Sequence, residues 1–344
     1  MKQNRSSGLS LVTRELPSPG KGQVLVKVEA AAICGTDVHI YKWDQWSSSR
    51  INPPLIIGHE FCGKVVEIGD GVDDIEAGER VTAEGHLACG SCTFCLTGRA
   101  HICNSVEIIG VDRDGAFAEY LLLPASNLWR VDERLSSEVG SLFDPLGNAV
   151  HAVMSSGQLM GQVVIITGCG PIGLCSIALA RRGGAELIIA SDLIDTRLEL
   201  AEKMGADRVV DVRQHGLEET VRELTSGMGA HLLLEMSGHP RAINDGLSSL
   251  RKGGRAILLG LPSSPVQLDL ANDLIFNEVS VKGINGRRIF ESWFQMDSLF
   301  RSGLQLEQLI THYFGFSDCE RTFKVAASGE CGKVILYPPG RGRD

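Results

Sequence analysis

A chain of 344 residues, 43% hydrophobic and 22% charged, is long enough for two cores and too evenly balanced for a disordered or fibrous protein. Its formal net charge of -9 argues against a nucleic-acid backbone or an anionic membrane as main partner, since both need clustered Lys and Arg and runs such as Arg287-Arg288 are too short to supply them. The amino-terminal MKQNRSSGLS has no apolar core of signal-peptide length and no later stretch reaches a transmembrane span, so a cytoplasmic protein is expected. In that reducing setting its ten cysteines are metal ligands, catalytic groups or small buried hydrophobes rather than disulfides.

Over roughly the first 140 residues, strand-like runs (QVLVKVEAAAI, GKVVEIGD, ERVTAE, GAFAEYLLL) are separated by turn signals and long loops, which predicts an all-β, irregular barrel-like domain. Directly after the first run, ICGTDVH crowds a thiol, a hydroxyl, a carboxylate and an imidazole into residues 33 to 39. Twenty-five residues past Cys34, PPLIIGHEFCG places His59 and Glu60 behind another apolar run, and FDPLGNAVH adds Asp144. One Cys, one His and one carboxylate leave a fourth tetrahedral position open, the pattern of a catalytic zinc. Each residue also has a plainer reading: Cys34 as a small buried hydrophobe, His59 as a hydrogen-bonded core residue, Asp144 as a helix N-cap.

Between these lies CGSCTFCLTGRAHIC, with Cys89, Cys92, Cys95 and Cys103. Four thiolates at these spacings close a tetrahedral shell around zinc with no open position, so that ion would be structural. A nucleic-acid-binding zinc ribbon would need basic and aromatic residues between the cysteines, and only Phe94, Arg99 and His101 qualify.

From residue 163 to 284 short β-branched runs alternate with helical stretches: VVIITG, ELIIASD, RVVDV, HLLLEMSG, RAILLG and VSVKGI. Six strands with intervening helices predict a doubly wound parallel sheet, so the fold class is α/β with a second, barrel-like domain. Gly168, Gly170 and Gly173 in TGCGPIG form G-x-G-x-x-G between the first strand and a helix opening at Pro171 and Ile172. That context reads as a dinucleotide site. Asp192, 19 residues beyond Gly173, suits the adenosine ribose hydroxyls and favours NAD over NADP. Arg197, one turn into the following helix, reads equally as a solvated residue or as a contact to adenine or ribose. After Gly286 come a helical stretch, SWFQMDSLFRSG, and a strand, GKVILYPP, that returns to the first domain. The expected division is 1–146 with a cysteine lobe at about 84–106, then 147–290, then 291–344.

The stretches CGTDVHIYKWDQW, GHEFCGKVVEIG, EGHLACGSCTFC, FDPLGNAVH, TGCGPIGL, GRRIFESWFQM and ITHYFGF resemble the zinc-dependent medium-chain alcohol dehydrogenases and, among them, the branch that oxidises L-threonine. The resemblance implies a GroES-like β-barrel catalytic domain joined to a Rossmann NAD-binding domain, one catalytic and one structural zinc per chain, and a homotetramer, with a dimer as fallback. It implies that Cys34, His59 and Asp144 are catalytic zinc positions and that Glu60 approaches or joins the metal shell, leaving open which carboxylate is the third ligand. It further implies that Thr36 and His39 form a proton relay, that His86 takes part in substrate recognition, and that Leu261 and Ile284 line the nicotinamide pocket. The implied substrate is L-threonine or a similar secondary alcohol, oxidised with NAD. Sorbitol or 2,3-butanediol oxidation is the alternative, and a non-catalytic NAD-binding protein would require Cys34, His59 or the relay to be missing.

Overall fold

The computed structural model describes residues 1–340, and the chain divides into one unit of Met1–Asp144 with Ile310–Asp344 and another of Pro145–Leu309. The sequence expectation returned the chain to the first unit at residue 291. It stays in the second unit to Leu309, because the helix Glu291–Arg301 buries Trp293 and Met296 there, and Arg287 of the same unit lies over the Trp293 ring at 5.7 Å.

In the first unit seven strands make one sheet. In path order they are Ile310–Gly315, Lys333–Tyr337, Gln23–Ala32, Glu60–Ile68, Arg80–Ala83 and Leu128–Arg130, with Tyr120–Pro124 added beside Gln23–Ala32. The long strand Gln23–Ala32 is buried at nine of ten positions to at least an intermediate degree, as its valine- and alanine-rich sequence requires of a strand covered on both faces. It pairs antiparallel with Glu60–Ile68 and with Lys333–Tyr337, and its last residue, Ala32, is registered opposite both Glu60 and Ile335. That register brings Cys34, His59, Glu60 and Lys333 to one end of the sheet. Its core includes Val24, Val26, Ile40, Ile57, Phe61 and Phe323.

The second unit holds a parallel sheet of six strands in the order Arg208–Asp211, Leu187–Asp192, Val163–Thr167, Ala230–Glu235, Leu250–Leu258, Ser280–Gly283. Numbered within the unit this is 3-2-1-4-5-6, the Rossmann order, which reverses between Val163–Thr167 and Ala230–Glu235. All six strands fall where the apolar runs place them, and Val163–Thr167 is buried throughout. The glycine turn follows at the carboxyl end of that strand. Gly168 has φ +86°, and a Cβ on Gly173 would lie 1.9 Å from the Gly168 carbonyl oxygen, so helix and strand pack at a distance only glycine allows.

A Cβ on Gly170, by contrast, meets nothing within 4 Å. Gly173→Ala is therefore expected to lower stability by about 1–3 kcal/mol through overpacking. Gly170→Ala should cost less than about 1 kcal/mol, the difference between Gly and Ala as helix caps. Urea midpoints of the two variants check the order.

Candidate active site and metal centres

The helix Gly35–Lys42 begins one residue past Cys34, whose backbone N–H donates to Asp37 Oδ2 at 2.9 Å. This pins Asp37, fully buried, against the first turn. Its other oxygen has no hydrogen bond and lies 3.9 Å from His59 Nδ1, which likewise has none. His59 is aimed by Gly58, whose φ of +96° and close approach to the Phe117 ring admit no side chain.

Cys34, His59 and Glu60 each offer a ligand atom, all within 4.8 Å of one another. Asp144, nearly buried in the first turn of the helix Phe143–Ser155, stands outside that cluster but close enough to act electrostatically on His59, Glu60 and Lys333. Its place inside the helix, rather than ahead of it, replaces the N-cap reading. Glu60 Oε2 is held by Lys333, itself buried and also donating to the Ile33 carbonyl at 3.0 Å, while Glu60 Oε1 is buried without a hydrogen bond.

The pocket thus collects Cys34, Asp37, Glu60 and Asp144 around His59 and Lys333. Burial works against charge on His59, but the Cys34 and Asp37 groups outweigh it and lift the imidazole to about 10. Burial pushes Glu60 above the ordinary carboxylate range, with Lys333 pulling the other way. Unsatisfied donor atoms and an excess of negative charge are what a divalent cation neutralises, and a thiolate, an imidazole and a carboxylate suit zinc. These residues fit a catalytic zinc.

The four lobe sulfurs fit a second ion more tightly. The distances are 3.9 Å for Cys89 to Cys95, 3.5 Å for Cys92 to Cys95 and 3.9 Å for Cys92 to Cys103. A tetrahedron with zinc–sulfur bonds of about 2.3 Å has edges of about 3.8 Å. The Ser91 and Cys92 N–H groups draw Cys89 down to about 6, and loss of solvent followed by the Cys92 and Cys103 sulfurs pushes Cys95 up to about 12. Among the described residues no cysteine is joined in a disulfide.

Thr36 and His39 lie one turn apart on the helix Gly35–Lys42, so they share a face. Thr36 Oγ1 is 3.8 Å from Cys34 Sγ. His86, on the short strand His86–Leu87, is fixed by the buried carboxylate of Glu84, which accepts from its backbone N–H at 2.9 Å and its Nδ1 at 2.8 Å.

In the second unit the helix Pro171–Arg182 starts at Gly170 with no side-chain cap, and the space beside Gly170 is open, since a Cβ there would meet nothing within 4 Å. Asp192 closes the next strand. Its Oδ2 accepts from Cys169 N at 2.7 Å, its Oδ1 from Leu193 N and Ile194 N, and Arg197 Nη1 lies 3.9 Å away. Arg197 is three-quarters buried beside Asp192, and its Nε has no hydrogen bond, so it is not a solvated helix residue. Leu261 is 90% exposed, and half-buried Ile284 donates to the Leu258 carbonyl at 3.0 Å. The uncapped helix and the turn with room at Gly170 fit a dinucleotide pyrophosphate.

Residues 20–133 match the alcohol dehydrogenase GroES-like domain, and residues 171–302 match the zinc-binding dehydrogenase domain. The chain belongs to the zinc-binding alcohol dehydrogenase family. L-threonine 3-dehydrogenase of Caldanaerobacter subterraneus subsp. tengcongensis is 45% identical over 340 residues, 98% of each chain. That of Bacillus subtilis is 46% identical over 339 residues, 98% of this chain and 97% of its own. Among solved structures, a short chain alcohol dehydrogenase from Escherichia coli CFT073 complexed with NADH superposes with a TM-score of 0.89 at 29% identity, covering 97% of each chain. The 2R,3R-butanediol dehydrogenase of Bacillus subtilis gives 0.87 at 28% identity, again over 97% of each.

Asp44, Glu84 and Lys333 escaped the sequence reading of this zinc dehydrogenase, and Asp37 entered it only as the carboxylate of ICGTDVH, without a role. Asp37 and Glu84 had a signal, lying three and two residues from groups already singled out. Lys333 had only the oddity of a lysine opening the apolar strand KVILY. Lys333→Met leaves a buried charge uncompensated and is expected to cost about 3–5 kcal/mol. Urea unfolding measures it, and Lys333→Met with Glu60→Gln should recover part of the loss.

Proposed function

We propose that this chain oxidises the secondary alcohol of L-threonine with NAD, giving L-2-amino-3-ketobutyrate and NADH. The observation that carries the reading is the Cys34, His59 and Glu60 cluster in a chain 45–46% identical, end to end, to L-threonine 3-dehydrogenases. Likeness to the butanediol enzyme, at 28%, extends to fold and chemistry but is weaker in sequence. The proposal includes a homotetramer in the cytoplasm with no nucleic-acid or membrane partner; the net charge of -9 speaks against an anionic partner, and among the described residues no helix is long and apolar enough to cross a membrane.

When bound, zinc supplies the Lewis acidity that makes a secondary hydroxyl acidic near neutral pH, and NAD supplies the hydride acceptor. Cys34 and His59 would hold the metal, with Glu60 as the third ligand and Asp144 adding negative charge beside it. Cys89, Cys92, Cys95 and Cys103 would hold the structural ion. Asp37, 3.9 Å from His59 Nδ1, acts on the imidazole by charge rather than through a hydrogen bond. Thr36, next to Cys34, accepts the hydroxyl proton and hands it towards His39 for release to solvent. Glu84 engages His86 Nδ1, which leaves Nε2 as the atom offered to the substrate's amino or carboxylate group. Gly168, Gly170 and Gly173 with the Pro171–Ile172 helix start would seat the pyrophosphate, Asp192 and Arg197 the adenosine, and Leu261 and Ile284 the nicotinamide.

An NADH-absorbance assay across L-threonine, D-threonine, 2,3-butanediol and sorbitol should give the highest kcat/KM for L-threonine; a preference for either diol or polyol would refute the substrate assignment. His86→Ala should raise the KM for threonine without changing bound zinc. Metal analysis should find two zinc ions per chain, matching the two ligand clusters. Cys34→Ser is expected to lose one of them and all turnover while still binding NADH, and Cys92→Ser to lose the other together with thermal stability.

A further inference from the structure

The helix carrying Thr36 and His39 ends at Trp43, which adopts a left-handed conformation with φ 58° and ψ 50° and donates its N–H to the His39 carbonyl at 2.9 Å. A bulky residue pays a steric penalty there, and the result is an abrupt reversal that sets Asp44 back alongside His39. Asp44 then opens the helix Gln45–Arg50 as its N-cap. Its two oxygens divide their work. Oδ1 accepts from the Ser47 N–H and from the Ser47 hydroxyl, each at 3.0 Å, and Oδ2 lies 2.5 Å from His39 Nδ1. The Trp46 ring meets the His39 ring edge-on, with centroids 6.3 Å apart. The imidazole is exposed, so without these contacts it would turn freely.

We propose that Asp44 is a positioning residue for the proton relay: by accepting a hydrogen bond from His39 Nδ1 it fixes the ring and its tautomer, so that Nε2 carries the lone pair that receives the substrate proton. This rests on the relay role given to His39 under Proposed function. In the transfer, the proton passed by Thr36 bonds to Nε2, the Nδ1–H bond to Asp44 stays intact, and the same Nε2 proton then leaves to water. No electrons move and no further reactant is needed. A carboxylate is acceptor-only, which is why it specifies the tautomer while an amide would not. The Ser47 cap is what makes the assignment stick, because it fixes the carboxylate plane and leaves only one oxygen for the ring. Burial disfavours the charged form of Asp44, but the Ser47 N–H and His39 hold its carboxyl below the ordinary range, so it is an anion wherever the enzyme works.

Asp44→Asn and Asp44→Ser both keep a good helix cap and remove the acceptor opposite Nδ1. Single-turnover NADH formation is to be measured in these variants, in His39→Ala and in the double variant, with and without added imidazole buffer, after circular dichroism and zinc content confirm folding. Either Asp44 substitution should slow the step about tenfold or more, with the KM values for threonine and NAD within about twofold of the parent. Buffer should restore part of the rate, and Asp44→Asn should add no further loss in the His39→Ala background, because a residue acting through another is not additive with it. Parent-like rates in both Asp44 variants, additive losses, or losses indifferent to buffer would each overturn the proposal. If His39→Ala itself ran at the parent rate, the relay reading would fall and this inference with it. A slow His39→Ala beside fast Asp44 variants would sink the Asp44 role alone.

Discussion

The chemistry of the first unit hangs on strand register at one residue. Ala32 faces Glu60 on one side and Ile335 on the other, so the chain leaving the strand at Ile33 and Cys34 meets His59 and Lys333 at the same sheet end. A slip of one residue in either pairing would turn Glu60 or Lys333 to the opposite face and separate the ion pair. The pairing is protected by the apolar core on which these strands rest, including Val24, Val26, Val28, Phe61, Val65, Val334 and Leu336. Hydrophobic patterning, which knows nothing of zinc, therefore sets the distance between Cys34, His59 and Glu60 and the Lys333 drawn from the other end of the chain. The same register explains how a lysine can be fully buried: Lys333 has a carboxylate and a carbonyl waiting at the only depth its side chain reaches.

The two metal centres differ in how their ligands are gathered. In the cysteine lobe all four sulfurs come from one stretch of the chain, with only the two-residue pairing of His86–Leu87 and Glu107–Ile108 at its base. Its backbone N–H groups already point at sulfur: Cys89 N and Ser105 N approach Cys103 Sγ at 3.4 and 3.3 Å. Such a segment has little apolar surface to bury, so metal binding and local folding are one event there. At the Cys34 cluster the scaffold stands on its own core, and the metal is left free for chemistry rather than for holding the chain together.

That difference governs what could be read from the amino-acid order. The lobe was legible because spacing alone specifies it, and the parallel sheet was legible because six apolar runs with intervening helices and a glycine turn specify its strands. Cys34, His59 and Glu60 were found as chemically suitable residues, but not their separation, since that depends on a pairing register no local window contains. That Glu60 joins Cys34 and His59 within 4.8 Å, while Asp144 lies in the first turn of a helix, was likewise invisible. The end of the second unit was misplaced because Trp293 and Met296 look, in sequence, like any amphipathic helix, and only their burial beside Arg287 shows which core they serve.

The residues that orient the site share one device. Asp37 takes the N–H of Cys34, Asp44 that of Ser47, Glu84 that of His86, and Asp192 those of Leu193 and Ile194, each within three residues along the chain. Fixing a carboxylate to its own turn closes a very short loop and costs little entropy, so its direction is set before the distant partner arrives. In two of these the carboxylate also holds an imidazole, His39 for Asp44 and His86 for Glu84, while Asp37 lies 3.9 Å from His59 Nδ1. In sequence a thiol or an imidazole stands out because it does chemistry, whereas Asp44 and Glu84 look like any acid in a turn. Yet a histidine has two nitrogens, and which of them acts is decided by the neighbour that claims the other. At His39 and His86 the neighbour is a carboxylate held by a backbone N–H of its own turn, so which nitrogen stays open at each is written in the turn beside it rather than in the histidine itself.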